Sequence, residues 1–149
     1  MIVEGSDRLG KTTAAKRLAK FLGWEYVHYS RPSSDFNWNA DWFWRLKKNT
    51  VFDRFHLGGL IYGHQLNLHP VGDNYIETCA ELNATIRRLG GEVLVFHEEN
   101  KDKMCEHIKT TWTFDEMYDP EQIIEANEFF GLAAKSMNLR RVQRFPDVT

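Results

Sequence analysis

Cysteine is scarce. The chain has only Cys79 and Cys105, far apart in sequence, too few for a disulfide framework or a four-ligand zinc site, so two reduced, partly buried thiols are expected. No apolar run approaches the roughly 20 residues of a membrane span, and the first residues lack a basic leader followed by an apolar core. A cytosolic protein without a membrane partner is expected. Charge of either sign is not in excess: 19 Lys plus Arg stand against 21 Asp plus Glu, a formal net charge of −2. That balance gives no general attraction to duplex DNA, although it leaves room for a local basic patch. Internal repeats and low-complexity tracts are also missing. The six histidines (His28, His56, His64, His69, His97, His107) show no tight metal-ligand spacing, which speaks against zinc.

What is present is an ordinary globular composition, 42% hydrophobic and 27% charged over 149 residues, the size of one domain spanning 1–149. Strand and helix signals alternate. Met1–Glu4 is a short apolar strand, and Lys11–Leu22 has Ala14, Ala15, Leu18, Ala19 and Leu22 at helical spacing, with Gly23 as C-cap. Trp24–Tyr29 alternates as a strand, Ala40–Lys48 is a Trp-rich helix, and Thr50–Asp53 is a short buried strand. Leu57–Leu68 and Tyr75–Leu89 read as helices, and Glu92–His97 is a continuous apolar strand of the kind buried on both faces of a parallel sheet. Glu98–Thr111 is polar without a regular apolar face. Pro120 opens a helix to about Met137, and Arg141–Phe145 supplies an edge strand. This order implies an α/β three-layer sandwich around a parallel sheet, with a ligand at the carboxyl ends of the strands.

Gly5-Ser6-Asp7-Arg8-Leu9-Gly10-Lys11-Thr12 matches G-x-x-x-x-G-K-S/T between a strand and a helix, the context in which that motif is a phosphate-binding P-loop. Its backbone N–H groups and the helix N-terminus offer partial positive charge to phosphate. Gly5, Ser6, Asp7, Arg8, Leu9, Gly10, Lys11, Thr12 and Thr13 are therefore the expected cradle for ATP. Lys11 is expected to face solvent and hold the β- and γ-phosphates, and the Thr12 hydroxyl to ligate Mg²⁺.

With Glu4 and Thr13 included, the loop resembles that of the thymidylate kinase family, E-G-x-D-x-x-G-K-T-T. Two further stretches are similar to that family: Arg31-Pro32 resembles R-E-P with the middle residue missing, and Asp53-Arg54-Phe55 followed by Gly58-Gly59-Leu60-Ile61-Tyr62-Gly63 resembles D-R-Y…S-x-x-A-Y-Q-G. The resemblance covers residues 1–63 and is of a compact type like those encoded by bacteriophages. It implies a P-loop NTPase fold of the nucleoside monophosphate kinase type, a possible homodimer, and an ATP- and Mg²⁺-dependent kinase of a deoxynucleoside monophosphate. Arg8 takes the place of the arginine that stabilises the transferring phosphoryl group in one branch of that family, whose lid lacks arginines. The candidate lid here, 98–111, has Lys101, Lys103 and Lys109 but no arginine. By the same resemblance Arg8, Lys11 and Asp53 are catalytic, Thr12 and Asp53 lie at the metal, and Asp7, Arg31 and Arg54 meet the acceptor. The alternative for Asp53 and Arg54 is a solvated strand-end ion pair.

Phe36, Trp38, Trp42, Phe43 and Trp44 lie among Arg45, Lys47 and Lys48. Stacking on a base is worth roughly 1–3 kcal/mol, which makes Trp42 an acceptor-side candidate, whereas most of these rings are expected to pack a helix face. His56 and His64, eight residues apart, are expected to share a helix face at the surface. Two other functions compete with the nucleotide kinase: a kinase of a hydroxyl group, on a nucleoside or on a modified base in single-stranded DNA, and a non-catalytic nucleotide-binding module. Against the module stand the absence of a D-x-x-G switch segment and the presence of Arg8.

Overall fold

The computed structural model describes residues 1–29, 45–68 and 74–143. Five strands form one parallel sheet: β1 (Ile2–Gly5), β2 (Glu25–His28), β3 (Thr50–Asp53), β4 (Val93–His97) and β5 (Arg140–Gln143), in the order β2-β3-β1-β4-β5. The helices are α1 (Lys11–Leu22), α2 (Tyr75–Arg88), α3 (Lys101–Thr111) and α4 (Pro120–Ser136), with a π-helical stretch at Gly59–Gln65. All four residues of β1 are buried, as are all four of β3, because successive side chains of a central strand face opposite, covered sides. Val3 and Val51 join Ala15 and Ala19 of α1 on one face. Ile2, Phe52, Val93 and Val95 join the π-helical stretch, α2, α3 and α4 on the other. The expected three-layer α/β arrangement is what forms.

Cap chemistry explains the ends of these elements. Gly23 ends α1 in the left-handed conformation (φ 69°), its N–H meeting the carbonyls of Ala19 and Lys20, a geometry glycine adopts without steric cost. Pro120 opens α4, and the preceding Asp119 N–H donates to the Gln122 side chain at 2.9 Å.

Three expectations are corrected. Glu98–Thr111 was read as lacking an apolar face, yet 101–111 is helical: Asn100 caps it by accepting from Lys103 N–H at 3.1 Å, and Met104 and Ile108, one turn apart, are fully buried in the core. A stripe of two side chains is too narrow to register as periodicity. The Leu57–Leu68 helix is shorter and wound as a π-helix, with Leu66 N–H reaching the Ile61 carbonyl at 2.9 Å. At its start Tyr75 occupies the space beside Gly59, where a Cβ would run into the phenol oxygen. His56 and His64 share no face. His56 lies buried before the π-helix with Nε2 2.6 Å from Asn83 Oδ1, and burial lowers its pKa to about 4; His64 is exposed. The Trp-rich helix predicted to Lys48 is helical at Arg45 and not beyond; its first residues, 40–44, lie outside the described residues, as do Arg144 and Phe145 of the predicted edge strand.

If α3 is anchored by its two apolar side chains, Ile108→Ala should cost about 2–5 kcal/mol of stability, the usual range for emptying a packed aliphatic site. Denaturant unfolding measures this. A loss below about 1 kcal/mol, the scale of a surface change, would make the segment a loosely held flap.

Candidate functional site

The carboxyl ends of β1, β2 and β3 are in register, with Val3 beside Asp53 and His28 beside Asp53, so the P-loop, β2 and the turn after β3 converge on one crevice. Gly5 leaves β1 with φ 140°, and a Cβ there would run into the Phe96 carbonyl of neighbouring β4. Only glycine lets the loop begin so close to the next strand.

Lys11 does not face solvent as expected. It is 5% exposed, its Nζ donating to the Ser6 carbonyl at 2.7 Å and lying 3.7 Å from Asp7 Oδ1. Burial, then the nearby Arg54 charge, lower its pKa to about 8, against the opposing pull of Asp7, Asp53 and Glu4. The side chain curls its ammonium back onto the loop, where the Ser6 carbonyl and Asp7 receive it.

Asp53 is fully buried. Its Oδ2 accepts from Thr12 Oγ1 at 2.6 Å and Tyr26 Oη at 2.8 Å, and lies 3.1 Å from His28 Nδ1. Burial pushes its pKa up, but these three hydrogen bonds outweigh that and hold the carboxyl below its ordinary value. In return, burial and the bond to Asp53 raise the Tyr26 phenol to about 12. Oδ1 of Asp53 is buried without a hydrogen-bond partner among the described residues. An orphaned anionic oxygen beside the P-loop hydroxyl fits a hard, oxygen-seeking cation such as Mg²⁺.

Arg54 follows in the left-handed region (φ 68°), and its guanidinium pairs with Asp7 Oδ1. Asp53 and Arg54 are thus not a solvated ion pair: one is buried among hydroxyl and imidazole donors, the other crosses to the P-loop. Arg8 is exposed, also left-handed (φ 66°), and pairs with Glu116 while donating to Thr113 Oγ1 at 3.0 Å; its carbonyl lies 2.5 Å from His107 Nε2. Residues 7, 8 and 10–13 with Arg54, Thr111 and Glu116 line a cleft of about 460 Å³.

The structure therefore brings together Asp7, Arg8, Lys11, Thr12, Thr13, Asp53 and Arg54. Arg31 and Trp42, and with them most of the aromatic and basic segment considered for single-stranded DNA, lie outside the described residues. Sequence reasoning missed Tyr26, His28, Tyr62 and Glu116. Tyr62 Oη lies 3.4 Å from the Asp7 amide and its ring stacks on Tyr118 at 4.2 Å. Tyr26 and His28 carried a signal, since residues two apart on a strand face one side, but the register placing them at Asp53 is not in the sequence. Glu116 follows α3, whose helical character was itself missed.

No family model and no curated protein matches the chain. Solved structures do. The YorR protein of Bacillus subtilis, solved in complex with phosphorylated GDP, is similar at TM-score 0.70 and 17% identity over 99% of this chain and 85% of that one. The deoxyadenosine kinase of M. mycoides with bound dATP is similar at TM-score 0.56 and 14% identity, over 99% and 91%. A polyphosphate kinase 2 from Arthrobacter aurescens TC1 is similar at TM-score 0.60 and 13% identity, covering 91% of this chain but 54% of its own. At such identities the likeness is one of fold, and the fold of this five-stranded parallel α/β chain is that of the P-loop kinases.

Proposed function

We propose that the chain is an ATP- and Mg²⁺-dependent phosphotransferase acting on a nucleotide acceptor, a deoxynucleoside monophosphate of thymidylate type. The observation that carries this reading is the convergence of Lys11, Thr12 and Arg54 on one cleft, with the Thr12 hydroxyl in direct contact at 2.6 Å with the buried Asp53 carboxylate behind it. Against a module that only binds nucleotide stands Arg54, a second cation that shares Asp7 Oδ1 with Lys11.

In this reading residues 5–13 hold the triphosphate through backbone N–H groups, and Lys11 swings from the Ser6 carbonyl to the β- and γ-phosphates. Thr12 and Asp53 hold Mg²⁺, which neutralises charge on the phosphates. Arg54 exchanges Asp7 for the acceptor phosphate. Arg8 leaves Glu116 for the equatorial oxygens of the transferring group, a planar fork that meets two oxygens at once. The 101–111 segment is anchored in the core, and among the described residues the turn after α3 reaches Arg8 through Thr113 and Glu116. One observation favours a second reading, a hydroxyl acceptor: Asp53 Oδ1 has no hydrogen-bond partner among the described residues, and in this reading it receives the hydroxyl proton.

Coupled ATP consumption over nucleosides, nucleoside monophosphates and oligonucleotides separates these readings. Turnover on monophosphates is expected, and Arg54→Ala should raise the KM for that acceptor while leaving ATP affinity nearly unchanged, because a charge-assisted contact is lost on one side only. Turnover confined to nucleosides or oligonucleotides would install the hydroxyl reading instead.

Arg8→Lys should lower kcat by about a thousandfold or more, the range attributed to such arginines, with ATP affinity little changed, the pattern of an interaction made chiefly in the transition state. A kcat within about threefold of wild type, far outside that range, would leave Arg8 as a partner of Glu116 alone.

Lys11 predicts a proton linkage. A bound triphosphate favours the charged ammonium and returns its pKa upward, so ATP binding at pH 8 should take up protons, and affinity should fall as pH rises past about 8. Titration calorimetry in buffers of different ionisation enthalpy measures the uptake. Binding heats independent of buffer at pH 8 would contradict it.

A further inference from the structure

Glu4 is a carboxylate with no exposed surface, one residue before the P-loop's first glycine, on the central strand of the sheet. Burying an ionisable side chain there is costly unless it is used. Its Oε1 accepts from the Phe55 N–H at 2.9 Å and the Leu57 N–H at 2.8 Å, while Oε2 has no hydrogen-bond partner among the described residues. Both amides belong to the turn that leaves β3, and the residue before them is Arg54, held in a left-handed backbone conformation that costs a non-glycine residue energy unless its surroundings impose it. The Arg54 N–H itself donates to the Val3 carbonyl at 2.9 Å. The turn thus hangs from two consecutive residues of β1, one by its backbone and one by its side chain.

Lys11 from α1 and Arg54 from the turn are the cations that act on Glu4, and Tyr75 and Cys79 of α2 are the neutral titratable groups on its other side. A glutamine would accept the same two amide bonds without the penalty of burying charge. Burial pushes the Glu4 carboxyl up to about 7, and the two amide bonds, together with Lys11 and Arg54, pull against it and keep the charged form accessible.

Resting on the phosphotransferase reading above, we propose that Glu4 is a positioning residue for the acceptor site: it touches neither nucleotide, but fixes the 54–57 turn so that the Arg54 guanidinium stands in the cleft. Its effect on the donor runs through charge at Lys11, with which it shares no hydrogen bond.

The test is a mutant cycle of Glu4→Gln, Arg54→Ala and the double variant, with KM for the monophosphate acceptor, kcat and an independent ATP dissociation constant. Glu4→Gln keeps an acceptor at Oε1 and removes the charge. It should raise the acceptor KM by about five- to tenfold, the difference between a charged and a neutral hydrogen-bonding partner. ATP affinity and kcat should stay within about threefold, well inside the loss of one charge-assisted contact. In the Arg54→Ala background it should add nothing, since residues acting through one another are not additive. Unchanged acceptor KM, equal loss for donor and acceptor, or full additivity with Arg54→Ala would overturn the proposal. Should Glu4→Gln fail to fold, Glu4→Asp, which keeps the charge but draws the oxygen back from both amides, runs the same cycle under the same criteria. A wild-type chain without transfer to any monophosphate would show by itself that the underlying reading has failed, and this proposal with it.

Discussion

The Asp53 carboxylate gathers donors from α1 and β2 onto a single oxygen, which ties the P-loop helix, the second strand and the end of β3 into one rigid corner. Buried at 0% exposure, it can remain ionised only because those bonds replace the water it has lost. The rest of the cleft follows from this corner. Thr12 is oriented by it, Arg54 follows in the next residue, and Oδ1 has no hydrogen-bond partner among the described residues. Loss of the carboxylate would release several elements together, so its structural and chemical contributions cannot be varied independently by deleting it.

The second constraint is repulsion. Lys11 and Arg54 are close enough that each disfavours the other's charge, and the lowered pKa of Lys11 registers it. Asp7 lies between them and holds both, at 3.7 Å from Lys11 and in contact with Arg54. Glu4 supports the pair from beneath. This arrangement holds two cations side by side because a carboxylate is interleaved with them.

Much of this was legible in the sequence, and unevenly so. Residues 5–13 lie in one continuous loop, where spacing and flanking elements fix the geometry locally; the strands, α1, α2 and α4 were likewise readable from period and caps. The contacts around Asp53 and Arg8 are assembled from residues far apart in sequence. Tyr26 and His28 reach Asp53 only through the register of β2 on β3, and Glu116 reaches Arg8 across more than a hundred residues. No local pattern encodes such pairs. Where local signals existed but were weak, they were outvoted: two apolar side chains in α3 did not outweigh nine others, and the Gly58-Gly59 pair gave no hint that Tyr75 would force a π-helix.

Charge balance makes the binding of any anion at this cleft an exchange. Each cation at the cleft already holds a carboxylate: Arg8 has Glu116, and Lys11 and Arg54 share Asp7. A carboxylate and a phosphoryl oxygen compete for a guanidinium on similar terms, so phosphate gains most where it can approach two donors at once or where backbone N–H groups add to the attraction. The P-loop supplies such groups, and Glu116 does not match them with its single carboxylate. Among the described residues Glu4 and Asp53 add further carboxyl groups at this end of the sheet. A ligand bringing several further negative charges therefore needs a counterion of its own, and the free Asp53 Oδ1 beside the Thr12 hydroxyl is where the chain offers one a place.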